Sequence, residues 1–397
     1  MSFDNKERRR WEFPLFRSST GTSTTDVSAL TNIPIDEPES PRLVSLDAFR
    51  GLTILLMLLV NNMALDKATP LQLMHAKFNQ GVHLADLVFP WFLFCVGLAI
   101  PFSAAAFRRT GLPAWRYDVR IIRRAVALVL LGILITSIGG NGIVVRGVLQ
   151  LIGLAYLVAA LLYDLHLVRR LLIAGLFLVG YWAAIKYMQF PGAPVGAFAE
   201  DNNLIHYFNK TYLSSVNLSG IPSVIPTAAL VLIGTAVGDL IRKEELSKLW
   251  KTAWMLVIGL VLVALGVFWS FSLGFNKPFW TPSYILLAAG TGTLVLGLFY
   301  LLIDAGGKRL LATPLVILGS NAILAYVAPI LVKVLVLKTY QINVAPGKAI
   351  DLSQWILNFW VNNIGRISGG WLYTVSYIVF WWLVLWVLYK KRIFLRL

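Results

Sequence analysis

No charged side chain interrupts LVFPWFLFCVGLAIPFSAAAF, residues Leu87 to Phe107. A helix needs about 20 predominantly apolar residues to cross the hydrocarbon core of a bilayer, and this stretch is long enough. Four others match it: Ala125 to Val145, Thr252 to Phe275, Tyr284 to Ile303 and Ile367 to Tyr389. Across the chain 58% of residues are hydrophobic and 14% charged, a balance that leaves too little polar surface to face water all round. The reading is an all-α, polytopic transmembrane bundle of about ten spans. They fall near 46–65, 84–106, 122–140, 147–164, 170–187, 223–241, 252–273, 283–303, 312–335 and 371–390.

The formal charge is +16. In a membrane chain its meaning depends on where along the sequence it sits. Lys and Arg gather from Lys6 to Arg50, Arg108 to Arg124, at Arg169 and Arg170, from Arg242 to Lys251, at Lys308 and Arg309, and from Lys390 to Arg396. Those segments all fall on one side of the ten spans. The positive-inside rule puts that side, with both termini, in the cytoplasm. Basic residues dispersed by topology argue against a nucleic-acid partner and for the lipid bilayer.

Residues 1–42, with RSSTGTSTTDVSALTN at their centre, are too poor in periodic apolar positions to build a core. A disordered basic cytoplasmic tail is expected there, followed by one membrane domain over 43–397. The start MSFDNKERRRWEF lacks an apolar signal core, so the first membrane helix is expected to direct insertion. The single cysteine, Cys95, excludes an intrachain disulfide and a cysteine metal cluster and should pack as a small apolar group. Without HExxH, paired Cys/His or P-loop motifs, neither a metal site nor nucleotide hydrolysis is expected.

Three outer connections are long: 66–83, 188–222 and 336–370. Long connections tend to carry function, so the chemistry should lie outward. In the third, LSQWILNFWVNNIG sets Trp355, Ile356, Phe359 and Trp360 on one face of an interfacial or re-entrant helix. No internal repeat or inverted pair of broken helices is visible. Small-residue faces leave a homodimer open.

Polar groups inside spans are costly and mark candidates for function. In SLDAFRG, Asp47 and Arg50 sit one turn apart at the inner interface, as a helix-fastening pair or a functional one. The same helix ends in Asn61 and Asn62. In the first outer loop lies His75, whose imidazole suits proton transfer near neutral pH. His83 follows, and Asp86 stands at the mouth of the second span. Asp86 either orients the imidazole or caps its helix, and the residues alone leave both open. Further candidates are Gln150 inside the fourth span beneath Arg146, Lys277 and Trp280 in FNKPFWTPSY, and Asn321 within the ninth span. Their plainer roles are an aromatic-belt anchor with an outer lysine, and an interhelical hydrogen bond. Sequons stand at Asn209-Lys210-Thr211 and Asn217-Leu218-Ser219.

These stretches, taken in order, resemble a known family. RLVSLDAFRGLTILLMLLVNN (42–62), HAKFNQGVHLADLVFPWFLFCVGLAIPF (75–102), GVLQLIGLAY (147–156), FNKPFWTPSYILLAAG (275–290) and LGSNAILAY (318–326) are similar to the heparan-α-glucosaminide N-acetyltransferase family and its bacterial relatives, within the wider transmembrane acyltransferases. The resemblance runs over about residues 42–397 and implies acetyl transfer from cytoplasmic acetyl-CoA to an amino sugar on the far side, in a bacterial inner membrane. It places the family's active histidine on His75 and its functional asparagine on Asn61. The charge pattern independently puts His75 on the far side. On this reading Asp86 holds the imidazole, Asp47 and Arg50 fasten the first helix, and Gln150, Lys277, Trp280 and Asn321 line the substrate pocket.

Some positions depart from the pattern. One extra residue separates His75 from Asp86, the usual Trp-x-Gly reads Phe78-Asn79-Gln80-Gly81, and Leu218-Ser219-Gly220-Ile221-Pro222 stands where relatives carry Asp-Pro-Glu-Gly. The animal enzyme's luminal N-terminal domain and extra helix are expected to be missing, with a short cytoplasmic tail in their place. These bear on the acceptor more than on the fold. The competing classes are a transporter of a sugar or cell-wall fragment and a scaffold that works through its basic tail.

Overall fold

The computed structural model describes residues 43–138, 147–214, 218, 220–345 and 348–395. The expected tail at 1–42, Arg146 and the second sequon lie outside the described residues. In chain order the helices are α1 (Val44–Asn61), α2 (Leu84–Arg108), α3 (Ala114–Ile138), α4 (Val148–Leu161), α5 (Leu167–Tyr187), the five-residue α6 (Leu204–Phe208), α7 (Val224–Arg242), α8 (Lys248–Ser270), α9 (Pro282–Phe299), α10 (Arg309–Ser320), α11 (Ala322–Val332), α12 (Leu352–Ile364) and α13 (Arg366–Lys390).

Among the described residues eight helices are long and apolar enough to cross a bilayer, namely α1, α2, α3, α5, α7, α8, α9 and α13. The pair α10 and α11, bent by 61° at Asn321, meets the same length and composition test taken together, as either a broken span or a re-entrant segment. The shorter α4, 14 residues, stands where the remaining span is expected. The protein is thus an all-α, multi-pass membrane bundle, with helices on each anticipated interval. The bend was not anticipated. Hydropathy averages over a window and does not register a single residue whose backbone leaves the helix, as Asn321 does at φ −121°, ψ 47°.

Helices in lipid gain little from burying apolar area against one another, so close packing through small residues decides which of them meet. Between α1 and α10 the approach is backbone to backbone: a Cβ on Gly51 would lie 1.8 Å from the Leu315 carbonyl oxygen, and one on Gly319 would lie 1.9 Å from that of Asp47. Opposed outward faces run along α3, α5 and α8, where Leu130, Leu134, Leu172, Leu176, Leu260 and Phe268 are exposed for lipid. Cys95 is fully buried in the apolar core.

The two ends of the bundle differ chemically. At one end Arg108 pairs with Asp164 at 2.6 Å, Arg170 binds Asp239 and Thr235, Lys248 donates to the Asp304 carbonyl at 2.8 Å, and the Ser45 amide donates to the Asp304 carboxylate at 3.0 Å. These are the basic segments assigned to the cytoplasm. At the other end Lys333 donates to the Asn61 carbonyl at 2.9 Å and the Asn62 side chain at 3.0 Å, and Arg366 pairs with Asp66. A two-stranded hairpin, β1 (Gln341–Ala345) with β2 (Lys348–Asp351), leads into α12. That helix carries Trp355 and Phe359 stacked and exposed on one face, as an interfacial helix requires.

Candidate active site

Helix α2 begins where two consecutive outer-loop turns converge on one carboxylate. Asp86, two residues into the helix and 2% exposed, accepts the backbone N–H of His83 at 3.1 Å and of Ala76 at 3.0 Å through Oδ2. Its Oδ1 lies 2.9 Å from His75 Nδ1 and 3.4 Å from Lys277 Nζ. The sequence left open whether Asp86 caps its helix or orients the imidazole. The structure shows contacts of both kinds, Oδ2 with the backbone amides and Oδ1 with the imidazole.

The head of α2 is itself held. Tyr284, fully buried on α9, donates its hydroxyl to the Asp86 carbonyl at 2.6 Å, and Phe89 packs edge-on against Trp280 at 5.3 Å. Trp280 occupies a left-handed backbone conformation, φ 51°, which costs a non-glycine residue about 1 kcal/mol. A tight turn sustains it. The Asn276 amide donates to Thr281 Oγ1 at 3.0 Å, the Phe279 amide to Asn276 Oδ1 at 3.1 Å, and the Trp280 amide to the Lys277 carbonyl at 3.1 Å. That turn presents Lys277, whose Nζ is 3.0 Å from His75 Nδ1. Burial pushes the Lys277 amine below its ordinary pKa, with Asp86 pulling the other way.

His75 itself is 55% exposed at the side chain, and its Nε2 has no hydrogen-bond partner among the described residues. It borders a cavity of about 1040 Å³ shared with Asp86, Gln150, Lys277 and Trp280. Four of the sequence candidates therefore gather around it. His206, Asn209, Lys210 and Ser214 of the second long outer connection, and Ser223 just before α7, line it as well. These residues were not singled out in the sequence, apart from Asn209 and Lys210 as part of a sequon. The criterion that drew attention to His75, an imidazole in a long outer loop, applies equally to His206.

The other candidates lie elsewhere. Asn61 ends α1 beside a separate cavity of about 40 Å³ that it shares with Tyr326, Lys333 and Tyr377. Asn321 does not border the large cavity. It is 1% exposed at the α10–α11 bend, where its Nδ2 donates to the Ile393 carbonyl and its Oδ1 accepts the Leu395 amide, both at 2.9 Å. A buried amide at a helix break reaches chain that arrives from elsewhere, here the C-terminal segment. Asp47 and Arg50 are 3.5 Å apart as an i,i+3 pair at the basic end of α1, across the bundle from His75. The described residues contain no group of three or more His, Cys, Asp or Glu placed to hold a metal.

The long apolar helices define an integral, multi-pass membrane protein, with an imidazole and a buried carboxylate in contact at the edge of a cavity. Comparison with known sequences gives the particular family. Residues 42–270 match the model of the heparan-alpha-glucosaminide N-acetyltransferase catalytic region, so the chain belongs to that family. It is 27% identical over 357 aligned positions to the heparan-alpha-glucosaminide N-acetyltransferase of Homo sapiens, covering 72% of this chain and 52% of that protein. Against that of Mus musculus it is 25% identical over 352 positions, covering 72% and 53%. The chain thus spans about half the length of these curated relatives.

Proposed function

We propose that this chain transfers an acetyl group from cytoplasmic acetyl-CoA to the amine of an amino sugar held in the outer cavity, with His75 as the base. The observation that carries the reading is His75: its Nδ1 lies 2.9 Å from Asp86, its Nε2 has no partner among the described residues, and the side chain borders a cavity of about 1040 Å³. A neutral imidazole whose Nδ1–H is held by a carboxylate has its Nε2 lone pair directed away from that carboxylate. The acceptor amine attacks the thioester carbonyl carbon and its proton passes to Nε2. The carbon–sulfur bond then breaks, and the imidazolium returns the proton to the leaving CoA thiolate. The same geometry serves a two-step route in which Nε2 carries the acetyl group in transit, and a burst of CoA release before acceptor is added identifies it.

The cavity walls suit an amino sugar. Phe89, Phe279 and Trp280 among its lining residues supply aromatic side chains for a sugar ring, and Asn209, Ser214 and Ser223 supply hydroxyl and amide groups. Asn61 enters through the family resemblance as donor to the thioester oxygen, a role worth roughly 3 kcal/mol where the donor is well placed. From its position beside Lys333, that role requires the acyl donor to draw the end of α1 toward the His75 loop.

The test is release of free CoA thiol by purified protein in nanodiscs given acetyl-CoA and glucosamine. His75→Ala is expected to abolish release while leaving the melting temperature unchanged. Wild-type turnover in that variant would overturn the assignment. Flux of glucosamine into sealed vesicles without any acyl donor would instead favour a transporter.

A further inference from the structure

His75 Nδ1, Asp86 Oδ1 and Lys277 Nζ form a triangle with edges of 2.9, 3.4 and 3.0 Å. An ionised carboxylate only accepts hydrogen bonds, an ammonium only donates, and a neutral imidazole nitrogen does one or the other. With Lys277 as ammonium, one edge is always mismatched. If Nδ1 carries the proton, it donates to Asp86 and meets an N–H of Lys277 head-on. If Nδ1 is bare, it accepts from Lys277 and turns its lone pair on the carboxylate. A neutral Lys277 amine removes the conflict, donating to Asp86 while its lone pair shares the Nδ1 proton with the carboxylate. The Lys277 side chain is 26% exposed, and its burial favours the neutral form of the amine.

We propose that Lys277 is a positioning residue that selects the tautomer of His75. Its ammonium form holds Nδ1 as an acceptor and parks the proton on Nε2. Its amine form returns the proton to Nδ1 and frees the Nε2 lone pair into the cavity. The other titratable groups facing the triangle are few. His83 at the head of α2 is tied through Nδ1 to the Met74 carbonyl at 3.0 Å, and His206 and Lys210 stand across the cavity. Asp86 is the one carboxylate among the residues lining it.

The consequence for the reaction, which rests on His75 as the base, is an idle and a competent state set by one proton on Lys277. An imidazole parked with its proton on Nε2 neither deprotonates an amine nor attacks a thioester. Acetyl-CoA then waits without being consumed until Lys277 releases its proton.

The experiment is ¹⁵N NMR of the full chain with labelled histidine in nanodiscs, without acetyl-CoA. There are 4 histidines, so substituting the others one at a time assigns the His75 signals. In the neutral-imidazole population the wild type is expected to move from Nε2–H toward Nδ1–H as pH rises. Lys277→Met should hold Nδ1–H throughout. Lys277→Arg, a permanent cation, should hold Nε2–H and lower kcat at least tenfold with KM for acetyl-CoA unchanged. A single tautomer common to the wild type and either variant would overturn the proposal, and the arginine variant keeps the test open if the methionine variant fails to fold. Loss of the parent reading looks different: His75→Ala would keep its activity while the ¹⁵N signals still followed Lys277.

Discussion

Asp86→Asn separates the two tasks of that carboxylate within one atom's change. Oδ2 accepts the Ala76 and His83 amides at 3.0 and 3.1 Å, while Oδ1 faces His75 and Lys277. The amide oxygen must take the Oδ2 position, because an NH₂ there would meet two backbone donors. The new NH₂ then lies opposite Nδ1 and can only donate, so Nδ1 must accept and the proton moves to Nε2. The helix cap survives and the base is lost. A comparable tautomer error in serine hydrolases costs about 10⁴ in kcat. His75 is 55% exposed at the side chain and less confined, so some molecules recover the active orientation, and a loss of about 10²–10³ is expected. Stability should fall by only about 1–2 kcal/mol, the difference between a charge-assisted and a neutral set of hydrogen bonds. The assay pairs CoA release at saturating acetyl-CoA and glucosamine with thermal melting by tryptophan fluorescence. A folded Asp86→Asn protein with kcat within threefold of wild type would refute the reasoning.

Two further outcomes are expected. Asn61→Ala should leave acetyl-CoA affinity intact and lower turnover by about two orders of magnitude; unchanged turnover, measured by the same thiol release, removes its oxyanion role. Asn321→Ala should cost about 1–3 kcal/mol, because it strips both partners from the Ile393 carbonyl and Leu395 amide. Deleting residues 391–397 should give a similar shift in melting temperature. The double change should add little to either, and full additivity would show that the amide and the tail do not depend on each other.

The fold was legible because lipid imposes a simple rule: long uncharged runs become helices, and basic residues mark one side. Leu87 to Phe107 announces α2 with no knowledge of its neighbours. His75, Asp86, Lys277, Trp280 and Gln150 were legible for the related reason that polar side chains at span ends need a purpose. Their assembly was not. His75 and Lys277 are separated by 202 positions, and only the packing of α2 on α9, through Tyr284 and Phe89 with Trp280, brings their loops together. Asn321 misled because its type is right for a pocket while its partners lie on the C-terminal segment, 72 and 74 residues away. His206 stands in a long outer connection as His75 does, but outside the stretches that carry the family resemblance.

The length of α4 supplies a reason for the cavity's place. Its 14 residues extend about 21 Å, against a hydrocarbon core of about 30 Å. Its last turn leads to Tyr163 and Asp164 at the basic end, where Tyr163 donates to Asp239 at 2.8 Å and Asp164 pairs with Arg108. The opposite end of α4, from Val148, is the one that meets the cavity. Val148, Gln150, Leu151 and Leu154, the first two turns of α4, line the cavity there. The pocket is thus bordered by the start of α4 as well as by the Lys277 turn. In the proposed reaction the acyl thioester meets His75 in the cavity that this end of α4 borders. Extending α4 outward by a turn would fill that space without touching His75, Asp86 or Lys277, which makes the short helix, as much as the histidine, a requirement of the proposed reaction.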